Sequence, residues 1–268
     1  MSSPLNATLD LLAARERALQ TVDDSRSVPV PEGYERWAPS YDADPNPLLA
    51  CEERYLLPLL TDLRDKSVLD LACGTGRWLE RLVAQGCELG VGIDRSIAML
   101  RIAERKRAIR GRLARAACED LPLPNAAFDL AICSFALGHI RDIGPMVREL
   151  ERVMKPGGDV FVSDLHPEAY AHGWRVGFRD VSGAIQIEAR FRSVQEIVGA
   201  FCSHDFQSLK QESVWLSEPE RPFFLEAGKS HVFVEACQLP AVLVCHFKRT
   251  RSAVGEGLSS EQRQEPLP

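Results

Sequence analysis

Residues 68–78 read VLDLACGTGRW, and the order of residue types in that stretch decides the fold. Val68, Leu69 and Leu71 are apolar around an acidic Asp70, Gly74 and Gly76 follow in a short turn, and a helix-compatible run begins at Arg77. Strand, glycine turn and helix N-terminus in that order make a ligand cradle. Glycine lets the backbone take positive φ and lets a ligand come close, and the first turn of the helix leaves N–H groups unpaired toward it. A dinucleotide turn would need G-x-G-x-x-G, whose third glycine lets helix and strand pack closely; here the third place is Leu79. Asp70 would also repel a pyrophosphate, and it suits a cationic or amine-bearing ligand.

Working outward, Arg77–Gln85 reads as a helix stopped by Gly86. Leu89–Ile93 is a short apolar run, hence a buried strand, and it ends in Asp94, 24 positions after Asp70. An acidic residue there accepts hydrogen bonds from both ribose hydroxyls of a nucleoside ligand. Ser96 caps the next helix, Leu113–Ala116 is a third strand, and Phe128–Ser134 (FDLAICS) is apolar enough to be buried on both faces. A helix over Pro145–Lys155, a K-P-G-G turn at 155–158 and a strand over Asp159–Leu165 complete the series.

This series resembles the class I S-adenosylmethionine-dependent methyltransferases, through D-x-x-x-G-x-G at Asp70–Gly76, D-x-S-x-x-M-L at Asp94–Leu100 and the K-P-G-G turn before strand five. The resemblance covers residues 34–165. It implies an α/β fold: a Rossmann-like, seven-stranded, mostly parallel sheet with helices on both faces and the last strand antiparallel. It also implies S-adenosylmethionine as cofactor. The implied cofactor-binding residues are Asp70, Ala72, Cys73, Gly74 and Gly76 at the turn, with Asp94 and Arg95 at the ribose. Met99 is expected against adenine, although core packing would equally explain it. The family's G-D-A-E-x-L-P appears here as Ala117-Cys118-Glu119-Asp120-Leu121-Pro122 with Ala117 in place of the aspartate, so adenine recognition falls to Cys118, Glu119 and Asp120. Ser134, which closes strand four, is also among the implied cofactor-binding residues. The segment GYERWAPSYD (33–42) ends in Tyr-Asp as the family's pre-core segment does, which places Tyr41 over the reactive end of the cofactor, and Arg54 is expected to reach its carboxylate.

Two histidines fall at strand ends, where ligands of such sheets bind. His139 lies in SFALGHI after strand four and His166 in SDLHP after strand five. Both are candidate general bases, should the acceptor have to lose a proton. His166 is the better placed by sequence, with a role in shaping the turn as the alternative.

Beyond Leu165 the chain diverges from the family. Trp174–Asp180 and Ala184–Arg190 flank Val181-Ser182-Gly183 as a β-hairpin, expected as a lid over the site. A helix over Gln195–Phe206, a strand over Leu209–Leu216, a helix over Phe223–Cys237 and a strand over Pro240–Lys248 then close the sheet. The expected organisation is an N-terminal helical extension and linker over 1–33, a methyltransferase domain over 34–250 with the hairpin insert at 172–191, and a disordered tail over 251–268. Leu5, Leu9, Leu12, Leu19 and Val22 recur at helical spacing, for packing on the domain or as the arm of a homodimer, a role the lid also offers.

At 268 residues, 45% hydrophobic and 26% charged, the chain has an ordinary globular composition. A net charge of −6 argues against a nucleic-acid partner, and the basic run Arg101–Arg115 reads as a solvated face. No apolar run of membrane-spanning length is present. The eight cysteines form no C-x-x-C pair and read as reduced thiols, so a cytoplasmic location is expected and no metal. The expected activity is methyl transfer to an O, N or C atom of a small molecule, such as a secondary metabolite. A non-catalytic adenosyl-ligand-binding protein of the same fold is the alternative; Asp70 and Leu79 speak against a dehydrogenase.

Overall fold

The computed structural model describes residues 26–44 and 46–250; the helix read near Leu5 and the tail after 250 lie outside them. In chain order the elements are β1 (Arg26–Val28), α1 (Val30–Trp37), α2 (Pro47–Leu56), β2 (Ser67–Leu71), α3 (Arg77–Ala84), β3 (Leu89–Asp94), α4 (Ile97–Ala103), β4 (Leu113–Arg115) and β5 (Phe128–Ser134). There follow α5 (Gly144–Val153), β6 (Met154–Leu165), α6 (Pro167–Ala171), β7 (Gly177–Asp180), β8 (Gly183–Ile187), α7 (Val194–Cys202), β9 (Phe206–Trp215), α8 (Arg221–Glu226), α9 (Phe233–Ala236) and β10 (Pro240–Arg249).

The central sheet has seven strands in the order β4-β3-β2-β5-β6-β10-β9. Strands β2, β3, β4, β5 and β6 run parallel, while β10 runs antiparallel to both β6 and β9. This is the expected arrangement, with the last strand in the chain reversed. Side chains alternate between two cores. Leu69, Leu71, Ala131, Cys133, Val160 and Val162 pack with Val147 and Leu150 of α5 and Phe201 of α7. Val68, Leu130, Ile132 and Phe161 pack on the opposite face with Leu56 of α2 and with Trp78 and Leu82 of α3. A strand covered on both faces has no polar side to show, which is why these segments read as unbroken apolar runs.

A second sheet of three strands, β1-β8-β7, stands beside the first. It contains the expected hairpin, β7–β8, and in addition Arg26–Val28, which the sequence presents as linker. Those three residues pair in parallel with Ile185–Ile187; so short a strand carries no periodicity to read. Phe178 of the hairpin stacks on Trp37 of α1 with ring centroids 5.3 Å apart, and Arg36 pairs with Asp180. The helix expected over Phe223–Cys237 is broken in two, with Gly228 between the halves at φ +67°. Among the described residues no helix is long and apolar enough to cross a membrane.

Candidate active site

A cleft of about 460 Å³ opens at the carboxyl ends of β2, β3 and β5, with α1 along its side. That volume falls in the usual range for a small-molecule site. The turn after β2 forms its floor. Ala72, Gly74 and Gly76 all have positive φ, at 58°, 56° and 78°. The two glycines have different duties. A Cβ on Gly74 would meet nothing within 4 Å, so its α-carbon faces open space in the cradle; a Cβ on Gly76 would lie 2.3 Å from Cδ1 of the buried Ile109. Gly76 is therefore a packing glycine, and it does not line the cleft. Ala72 and Phe135 hold left-handed backbone without being glycine, at the ends of β2 and β5, and both line the cleft. Each costs roughly 1–2 kcal/mol, a kind of strain that collects at ligand sites.

Of the sequence candidates, the structure brings Tyr41, Asp70, Ala72, Cys73, Gly74, Asp94 and Arg95 to the cleft wall, together with Met99, Cys118, Glu119, Ser134 and His139. Asp70 is 2% exposed and accepts the N–H of Leu79 at 2.8 Å. Burial pushes its carboxyl up to about 7, against that hydrogen bond and the charge of Arg77. Asp94 accepts the N–H of Gly74 through Oδ2 and that of Ser96 through Oδ1, both at 2.7 Å. A carboxylate has about four lone-pair sites, so acceptor capacity remains for an incoming hydroxyl.

Three other candidates lie elsewhere. Arg54 turns away to Glu220, 1% exposed, at 2.9 Å and to the Trp215 carbonyl at 2.9 Å; it neutralises a buried carboxylate. Asp120 is exposed, its N–H bonded to the Ala117 carbonyl. His166 is the N-cap of α6 and is 5% exposed. Its Nδ1 accepts the N–H of Glu168 at 3.2 Å, so its Nε2 carries the proton and donates to Ser213 Oγ at 3.0 Å. Both ring nitrogens are used and burial lowers the pKa. A capping role replaces the expected catalytic one.

Sequence reasoning passed over Arg77 and Tyr34. Arg77 is the first residue of α3, where a cation opposes the helix dipole; an arginine there signals an anion nearby. Glu52 of α2, fully buried, is that anion. It pairs with Arg77 and accepts from Trp78 Nε1 at 3.1 Å and from Ser163 Oγ. Arg77 also donates to Ser134 Oγ at 3.1 Å, while its buried Nη1 makes no hydrogen bond among the described residues and lies 3.7 Å from Glu53. Tyr34 sits three residues before Trp37 and seven before Tyr41, a helical spacing that marks one face.

His139 ends the single turn Leu137–His139 after β5. Its Nδ1 lies 2.9 Å from the Glu188 carbonyl. A carbonyl only accepts, so Nδ1 carries the proton and the lone pair is on Nε2, which makes no hydrogen bond among the described residues. The Tyr34 ring meets the imidazole edge-on at 5.3 Å. Burial pushes the Tyr41 phenol up to about 12 and raises that of Tyr34 well above its ordinary value, so both stay protonated.

A methyltransferase-domain family model matches residues 68–158, the span of β2 to the K-P-G-G turn. A demethylmenaquinone methyltransferase of Bacillus licheniformis is 30% identical over 190 residues, covering 66% of this chain and 75% of that protein. The chain belongs to the class I S-adenosylmethionine-dependent methyltransferases. A malonyl-[acyl-carrier protein] O-methyltransferase of Pseudescherichia vulneris is 36% identical over 136 residues, 51% of this chain and 53% of that protein. An S-adenosylmethionine-dependent methyltransferase of Mesorhizobium loti shares the fold, with a TM-score of 0.59 at 22% identity over 74% of this chain and 98% of its own. The cofactor of this methyltransferase is S-adenosylmethionine. The cleft fits it: an open glycine cradle, a carboxylate with acceptor capacity to spare, a buried guanidinium nitrogen with no hydrogen bond among the described residues, and the acid Asp70 in the wall.

Proposed function

We propose that this methyltransferase passes a methyl group to a proton-bearing atom of a small, largely apolar molecule, and that His139 takes the proton. The observation that carries this reading is the tautomer of His139. The Glu188 carbonyl holds the proton on Nδ1 and leaves a free lone pair on Nε2, beside an apolar stretch of wall made by Val30, Tyr34, Phe135 and Ile140. The two tyrosines there are held neutral, which leaves the imidazole as the base.

When bound, the sulfonium supplies a methyl already activated for in-line displacement. The chain's part is alignment, exclusion of water and removal of one proton. Asp94 would hold the ribose hydroxyls, the turn Ala72–Gly74 would support the cofactor, and Met99, Cys118 and Glu119 would receive the adenine. Arg77, in place of Arg54, would hold the amino-acid carboxylate. Tyr41 would screen the methyl from water and the acceptor would enter past Tyr34. As the methyl–sulfur bond breaks toward the acceptor and S-adenosylhomocysteine leaves as the neutral thioether, Nε2 of His139 would take the acceptor's proton. Positioning of this kind can supply up to ~7–11 kcal/mol.

Of the two relatives, the one named for demethylmenaquinone fits a small, largely apolar acceptor, whereas the malonyl carboxylate named for the other carries no proton at neutral pH and would need no base. We infer an acceptor hydroxyl or carbon acid, in a secondary pathway. The test is to incubate the chain and S-adenosylmethionine with a panel of phenols, enols and amines and to follow methylated product by mass spectrometry. With the acceptor so found, His139→Ala should lower kcat by about 10²–10⁴ and leave S-adenosylhomocysteine affinity unchanged. Turnover confined to amines without titratable protons, or undiminished turnover in the variant, overturns the reading.

A further inference from the structure

Asp164, at the carboxyl end of β6, is not among the residues that line the main cleft. Its Oδ2 accepts the N–H of Gly138 at 2.8 Å and its Oδ1 that of Leu165 at 2.7 Å. Gly138 directly precedes His139, so the carboxylate grips the turn that carries the imidazole. From the other side the chain after β8 grips the same turn. The Arg190 N–H donates to the Gly138 carbonyl at 2.6 Å, and His139 Nδ1 donates to the Glu188 carbonyl. Asp164 and His139 also line a small cavity of about 30 Å³ next to the main cleft.

We propose that Asp164 is the positioning residue of His139: it fixes the turn that presents Nε2 to the cleft, and its charge stabilises the imidazolium once the acceptor's proton arrives. The proposal rests on the reading of His139 as base. Among the groups facing the pair, Arg190 and Arg192 are cationic and oppose a second positive charge, and Tyr34 and Tyr170 are phenols. Among the described residues Asp164 is the one acidic side chain lining the small cavity. A charge of opposite sign nearby favours the charged form of a titrating ring. Burial raises the Asp164 pKa, while the neighbouring His139 and Arg192 and the N–H donors of Gly138 and Leu165 hold it down.

The test uses the full chain in complex with S-adenosylhomocysteine, so it needs no acceptor. The Cε1 resonances of the six histidines are followed against pH, with His139 assigned from His139→Gln. Asp164→Asn should displace the His139 Cε1 resonance, because the turn that carries the ring loses its charged brace, and leave the other five in place. Reciprocally, His139→Gln should move the Asp164 carboxyl midpoint up. An unmoved His139 resonance in a variant that binds S-adenosylhomocysteine like the parent overturns the proposal. If Asp164→Asn fails to fold, the reciprocal arm decides, and an unmoved Asp164 carboxyl overturns it. Loss of the base reading would show separately, as undiminished turnover in His139→Ala.

Discussion

Asp94, at the end of β3, accepts the backbone N–H of Gly74 at 2.7 Å. The carboxylate proposed for the ribose thus also braces the turn proposed to lie under the cofactor, and one substitution should disturb both. Asp94→Ala should weaken S-adenosylmethionine binding by about 1.5–3 kcal/mol, the range for hydrogen bonds to a charged group. It should also lower the melting temperature of the ligand-free chain. Calorimetric titration with unchanged affinity would remove Asp94 from the site.

The two glycines of the turn should separate binding from folding. At Gly74, alanine meets open space, so its stability cost is the left-handed backbone alone, ~1–2 kcal/mol, while its methyl intrudes on the ligand. At Gly76, alanine adds a clash with Cδ1 of Ile109, and overpacking typically costs ~1–3 kcal/mol more. Ile109→Val removes that atom. Urea unfolding of the four-member cycle should give a favourable coupling of at least ~0.5 kcal/mol between Gly76→Ala and Ile109→Val. Strict additivity would mean that the strain at position 76 lies in the backbone only.

The sheet was legible because strands buried on both faces, such as Phe128–Ser134, carry no polar alternation, and because Gly74 and Gly76 mark where the chain must bend left-handedly. Arg54 and Arg77 were not separable in the same way. Both sit in helices near the cleft, and the choice is made by Glu220, 166 residues from Arg54 in the chain. His166 could have been read: a residue directly before a proline that starts a helix occupies the N-cap, and its ring is then committed to the backbone. The role of the hairpin was half legible. Its strands alternate, but its support of α1 through Phe178 and Trp37 depends on Arg26–Val28 joining the sheet.

Ligands that differ by the amino-acid tail distinguish the two arginines. Arg77→Met should weaken S-adenosylhomocysteine by about 1.5–3 kcal/mol and barely change 5′-methylthioadenosine, which has no carboxylate. Arg54→Met should leave both affinities alone. It strands Glu220 in the interior, and should cost on the order of 3 kcal/mol of stability, read by urea unfolding. Equal loss of both ligands in Arg77→Met would assign that arginine to the architecture of the cleft.

Asp70 gives the methyltransferase a pH dependence of definite sign. Burial holds its carboxyl at about 7 in the folded chain, against an ordinary 3.8. Between those two values the folded state keeps a proton that the unfolded chain has released. Stability therefore falls as pH rises through this window, and levels off above it. The fall is of order 4 kcal/mol across the window, at about 1.4 kcal/mol per pH unit. Asp70→Asn is neutral throughout and retains an acceptor for the Leu79 N–H. Near pH 4 parent and variant should match in urea unfolding, and the variant should gain on the parent steadily up to about pH 7. A gap that does not change with pH would mean that Asp70 is ionised in the folded chain throughout, its charge met by Arg77.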